Sequence, residues 1–130
     1  MNILLDTHVL LWAITGSRKL TAKAKKLISD PGNTIYVSII SPWEVEIKHN
    51  KFPDRMPIGS AELLGFCKAA GYSFLSIRPS HIEQLPTLDH DIHADPFDRM
   101  LICQAKAEDM ILITCDENVG RYKEKCICKI

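Results

Sequence analysis

No stretch of the 130 residues approaches the roughly 18–20 consecutive apolar residues of a membrane-spanning helix. The N-terminus also lacks a basic segment. Met1-Asn2-Ile3-Leu4-Leu5 runs straight into Asp6, whereas a secretory leader begins with positive charge. These two absences predict a cytoplasmic protein without membrane contact. Net charge is missing as well: 16 Lys+Arg stand against 16 Asp+Glu. That excludes a protein that coats nucleic acid by bulk charge, but not one with a local basic patch. No CxxC pair occurs, and the cysteine count, five, is odd. A disulfide scaffold is therefore excluded in favour of a reducing compartment. The chain has no GxGxxG, no glycine-rich phosphate loop and no GxSxG, which removes the dinucleotide, P-loop and α/β-hydrolase readings.

What is present is an ordinary globular composition, 46% hydrophobic and 25% charged. At roughly 100–200 residues per domain, residues 1–130 form one domain with a core of its own. Strand-type and helix-type segments alternate. Ile3 to Leu5 reads as a buried strand, and Thr34 to Ile40, Tyr72 to Ile77, Met110 to Thr114 and Cys126 to Ile130 read as four more. Helices are expected over His8–Ile14, Leu20–Ile28, Ser41–Asn50, Ser60–Ala70, Ser80–Leu85 and from Asp95-Pro96 to about Glu108. Thr87 to Ala94 reads as a loop, and a turn joins the last two strands. This order predicts an α/β fold with a mostly parallel sheet between helical layers.

Open parallel sheets bind ligands beyond the carboxyl ends of their strands. Asp6 follows the first strand and Asp116 follows the fourth. Glu44 and Asp98 lie in the first turns of helices. Together they form a gathering of carboxylates that repels itself unless a cation neutralises it. A set of carboxylates suits a hard ion, Mg²⁺ or Mn²⁺. Such an ion activates water and stabilises the leaving oxygen of a phosphodiester. Each acid also has a plainer reading. Asp6 fits an Asx turn or an N-cap. Ser41-Pro42-Trp43-Glu44 fits a capping box, as do Asp95-Pro96-Phe97-Asp98 and Ser80-His81-Ile82-Glu83. Glu44 can pair with Lys48 one turn on. The joint placement of four acids at one sheet edge favours the metal.

Weaker constellations surround these. Asp89-His90-Asp91-Ile92-His93 offers a zinc site or a solvated loop beside the acids. Cys126 and Cys128, at strand spacing, would face one side together. His8, His49 and His81 show no partner, and Cys103 reads as core. Arg18, Lys19, Lys23, Lys25 and Lys26 crowd one helix and its approach. They form either a solvated face or, in Arg18, Lys19, Lys23 and Lys26, a rim for an RNA backbone.

Four blocks carry a resemblance: Leu4-Leu5-Asp6-Thr7-His8-Val9-Leu10-Leu11-Trp12, Ser41-Pro42-Trp43-Glu44-Val45-Glu46-Ile47-Lys48, Asp95-Pro96-Phe97-Asp98-Arg99-Met100-Leu101-Ile102-Cys103-Gln104-Ala105 and Leu112-Ile113-Thr114-Cys115-Asp116. In this order they resemble the PIN domain, and more closely the VapC-type ribonuclease toxins of bacterial toxin–antitoxin pairs. The resemblance implies a three-layer α/β/α fold with a parallel five-stranded sheet. It implies Mg²⁺- or Mn²⁺-dependent hydrolysis of RNA, with Asp6, Glu44, Asp98 and Asp116 as the catalytic and metal-holding acids. Asp95 is an ambiguous neighbour of Asp98. Thr114 would orient a carboxylate or water, and Arg99 would pair with a carboxylate or meet phosphate. A cognate antitoxin and a homodimer built on the early helices are implied as partners. The rivals are a housekeeping RNA-processing nuclease of the same fold and a non-catalytic protein-binding module in which the acids are caps.

Overall fold

The computed structural model describes all residues, 1–130. Five strands form one sheet: β1 (Asn2–Leu5), β2 (Thr34–Ser38), β3 (Ser73–Leu75), β4 (Ile111–Thr114) and β5 (Ile127–Lys129). Their spatial order is β3-β2-β1-β4-β5, and every neighbouring pair is parallel. The helices are α1 (Thr7–Thr15), α2 (Ala22–Ser29), α3 (Ile40–Lys51), α4 (Ser60–Ala69), α5 (Pro79–Ile82), α6 (Pro96–Ala107) and α7 (Glu117–Gly120), with a 3-10 turn over Leu85–Thr87. None is long and apolar enough to cross a membrane.

The short strands are apolar on both faces because both are covered. Successive side chains of a strand point to opposite sides. Leu4 and Leu112 therefore enter one core, with Met100 to Cys103 and Ala105 of α6. Ile3, Leu5, Ile35, Val37 and Ile113 enter the other, with Val9 and Leu10 of α1, Ala24 of α2 and Leu63 and Cys67 of α4. Helix α3 straddles the layers: Ile40 packs into the first core and Val45 into the second. It thereby rises past the sheet at the carboxyl end of β2.

Three helices end in the same way. Gly16, Gly71 and Asp109 adopt left-handed backbone, φ 65°, 78° and 54°. The next N–H then returns to a carbonyl five residues back, as in Ser17 to Trp12, Tyr72 to Cys67 and Met110 to Ala105. Glycine takes this conformation without a steric cost; Asp109 has a Cβ in the way.

The structure corrects several local expectations. Helix α3 starts at Ile40, with Ile39 at its N-cap and no side-chain cap, so Ser41-Pro42-Trp43-Glu44 is not a capping box. Ser80 is not an N-cap either. Arg78 holds that place, and its N–H donates to His81 Nδ1 at 3.0 Å. His81 is far from partnerless: it is fully buried, and its other nitrogen meets Glu108 Oε1 at 2.8 Å. His49 Nδ1 likewise lies 2.7 Å from the Met56 carbonyl. Cys126 packs with the first core and Cys128 with the second, so the two thiols do not share a face. The expected turn between the last two strands contains the one-turn helix α7.

Candidate functional site

β1 and β4 are neighbours, yet the chain leaves them in opposite directions, toward β2 from one and toward β5 from the other. The crevice beyond their carboxyl ends is the switch point at which open α/β sheets bind ligands. Asp6 stands immediately after β1, and Asp116 two residues after β4. The ladder fixes the backbone of Asp6, whose N–H donates to the Ile113 carbonyl at 3.0 Å. The buried hydroxyl of Thr114 then ties the two acids together. It donates to Asp6 Oδ2 and accepts the Asp116 N–H at 3.0 Å. Asp116 Oδ1 accepts from the Val119 N–H at 2.9 Å, which caps α7. One oxygen is thus anchored, and the other has no protein partner.

Helix α6 leads straight into β4, so its N-terminus comes back to the same edge. Asp95 is its N-cap and accepts the N–H groups of Phe97 (2.9 Å) and Asp98 (3.0 Å). Asp95 serves the helix, and the Asp98 carboxylate faces His93, whose Nε2 lies 3.1 Å from Oδ2. His93 is the residue that sequence reasoning left out of the site. It comes from the Thr87–Ala94 loop, as does His90. The loop is held down by Arg99, whose Nη1 donates to the Asp89 carbonyl at 2.9 Å and to Tyr122 Oη at 2.8 Å. Arg99 makes no bond to a carboxylate. Tyr122 in turn lies 3.0 Å from His93 Nδ1.

Donor atoms of His93, Asp98 and Asp116 all lie within 4.8 Å of one another. Asp6 and Glu44 stand outside that group of three; the charge of Asp6 acts on Asp98, and that of Glu44 on Asp6. Burial pushes the Asp98 carboxyl up to about 7; the charges of Asp95, Asp6 and Asp116 add to this, and the His93 bond opposes it. Burial also raises Asp6, against the Thr114 bond, with Asp116 and Glu44 adding repulsion. Buried Glu44 is held by its own partners. Its Oε1 accepts from Thr7 Oγ1 at 2.9 Å, and its Oε2 pairs with Lys48 Nζ at 2.5 Å. Ser41, already inside α3, is bonded to Thr7 as well, at 2.9 Å. Burial works against the Lys48 charge, but Glu44, Asp95 and Asp98 carry its ammonium above the ordinary lysine range.

The donor set fits a divalent cation: two carboxylates within reach of one ion, a third carboxylate tied to them through Thr114, and charge that a cation would relieve. The basic residues expected at the rim, Arg18, Lys19, Lys23 and Lys26, are all exposed. Only Lys19 borders a cavity, which it shares with His8 and Arg55. The largest cavity, about 490 Å³, is lined by Asp109, Met110 and Ile111 at the start of β4, the opposite end from the acids. No carboxylate pair faces into it with a common partner, and the chemistry does not lie there.

Comparisons with known proteins agree with the fold. The fold is similar to VapBC2 from Rickettsia felis, solved bound to a DNA fragment from its promoter. The TM-score is 0.74 at 16% identity, over 100% of this chain and 99% of that one. It is also similar to VapBC-1 from nontypeable Haemophilus influenzae, with a TM-score of 0.64 at 13% identity, over 93% and 91% of the two chains. Among curated proteins no sequence matches significantly. A family model described as PIN domain matches residues 3–125, nearly the full length, and the chain belongs to the PIN domain family.

Proposed function

We propose that the protein is a divalent-metal-dependent endoribonuclease and the toxin of a toxin–antitoxin pair. The observation that carries the chemistry is the meeting of Asp98, Asp116 and His93 donor atoms at the switch point, beside Asp6. Asp6, Asp98 and Asp116 would hold Mg²⁺ or Mn²⁺, with Glu44 completing the acidic set. A hard ion there supplies Lewis acidity and a water activated for in-line attack on phosphorus. The rest falls to the chain. Thr114 keeps Asp6 and Asp116 in register. His93, steadied by Tyr122, orients Asp98, as outer-shell partners orient metal ligands. Lys48 balances Glu44. Basic side chains on the exposed surface, Arg18, Lys19, Lys23 and Lys26 among them, offer charge to the RNA backbone. The toxin assignment is supported by the likeness in fold to two VapBC structures. By that likeness a cognate antitoxin is the partner; a homodimer and a cytoplasmic location are proposed with it.

Purified protein should cleave single-stranded RNA in Mg²⁺ or Mn²⁺ and stop in EDTA. Asp6→Asn should fold normally and lose cleavage, because the amide keeps the shape but not the charge. Expression alone should arrest growth, and co-expression with the neighbouring gene should restore it. Full activity in Asp6→Asn refutes the metal site. Cleavage without growth arrest, and with no small partner recovered, moves the assignment to a housekeeping RNA-processing nuclease.

A further inference from the structure

A groove leaves the acidic site on the α1–α3 side. Two cavities of about 310 and 300 Å³ share His8, Arg55 and Met56 and so form one channel. It begins at Lys48, whose ammonium touches Glu44, and at His8, two residues past Asp6. It continues past Arg55 to Lys19. No acid lines either part. In a chain with zero net charge, three cations along one acid-free channel mark a local field of one sign. Arg55 and Lys19 have no carboxylate partner anywhere in the structure. Aromatic rings alternate with them. Phe52 is 51% exposed and lies under the Arg55 guanidinium, 5.3 Å from ring centroid to carbon, and Trp12 borders the far part.

Cations interleaved with aromatic rings, two of the three without an acidic partner, suit a single-stranded nucleic acid, whose phosphates meet the charges and whose bases stack on the rings. An apolar protein helix would need the floor of Leu11 and Met56 but would have no use for the cations. We propose that this groove carries single-stranded RNA on one side of the scissile phosphate, with Lys48, Arg55 and Lys19 meeting successive phosphates and Phe52 stacking a base. The proposal rests on the ribonuclease reading and names how that site takes its substrate. The α2 lysines, Lys23, Lys25 and Lys26, are outside the path, and Arg55, which no sequence pattern marks, is at its centre.

The test is binding and cleavage by the full chain. Affinity for a labelled uridine oligomer of about 12 nucleotides is read by anisotropy in EDTA, so it does not depend on catalysis. Arg55→Ala and Lys19→Ala should each weaken it roughly tenfold at low salt, and the double variant should flatten the log–log salt dependence by about 1.4. Phe52→Ala should weaken binding at least about fivefold without changing the slope. In Mn²⁺ the same variants should raise KM for the oligomer far more than KM for the dinucleotide UpU, which is too short to follow the groove. Unchanged oligomer affinity and salt slope in the double variant overturn the proposal, as does a wild-type chain that does not bind the oligomer. Variants that keep RNA but release a co-expressed protein partner also overturn it. Binding that follows the groove, with no cleavage of either substrate, supports the groove and refutes the nuclease.

Discussion

Thr114 makes the smallest unit on which the site depends. Its single hydroxyl serves as donor to one acid and acceptor from the backbone of another. Thr114→Val keeps the shape and removes both bonds. It leaves the Asp116 N–H unmatched and lets the two carboxylates drift. We expect it to cost about 1–3 kcal/mol of stability and to lower cleavage, whereas Thr114→Ser keeps both. Equal activity of the valine and serine variants, measured beside their urea midpoints, would refute this role. The positions of Asp6 and Asp116 were legible in the sequence because strand ends are easy to find and a parallel sheet gathers its strand ends at one edge. His93 was not legible. Its position depends on Arg99 and Tyr122 pinning an irregular loop from elsewhere in the chain, and no periodicity encodes that.

At the scale of elements, helix starts divide into those a sequence can show and those it cannot. Asp95-Pro96 reads as an N-cap and is one. Ser41-Pro42 has the same form and is not, because Ile39 already lies in helical backbone, φ −63°, ψ −14°. The early start turns Ser41 and Glu44 inward to Thr7. Helix ends carry a simpler lesson. Two of the three left-handed terminators are glycine, and the third, Asp109, follows α6 directly and bears the turn into β4. Asp109→Gly should stabilise the protein by roughly 0.5–1 kcal/mol without touching activity, since the turn is at the far end of β4 from the acids. A lower thermal midpoint in that variant would show that the Asp109 side chain contributes more than its backbone strain costs.

For the molecule as a whole, alternation of segments was enough to foresee a mostly parallel sheet with helices on both faces. The order β3-β2-β1-β4-β5 was not foreseen, since which strands pair depends on contacts between residues far apart in the chain. Two buried thiols report on the resulting layers separately: Cys103 sits in the core under α6 and Cys67 in the core under α1 and α4. Burial pushes both up to about 11, from the ordinary 9.0. A raised folded-state value means stability is whole below pH 9 and declines as pH rises from 9 through 11. At pH 10 the loss should be roughly 1 kcal/mol for each thiol. Alkaline melting curves of wild type, Cys67→Ala and Cys103→Ala check this, and each variant should show a shallower decline. If the domain opens as one unit, the two thiols should also react with a thiol reagent at the same rate in native conditions. A Cys67 that reacts far faster would show that the helical layer over it opens alone.

The bond from Thr114 to Asp6 also sets a clock. It spans 108 positions of chain, and β1, made first, has β4 as one of its two neighbours. Until the ribosome has delivered residues 111–116, one flank of β1 is empty, Asp6 has no tether and Asp116 does not exist. Under the proposed ribonuclease function, the chain would thus be harmless to the message encoding it through most of its own synthesis.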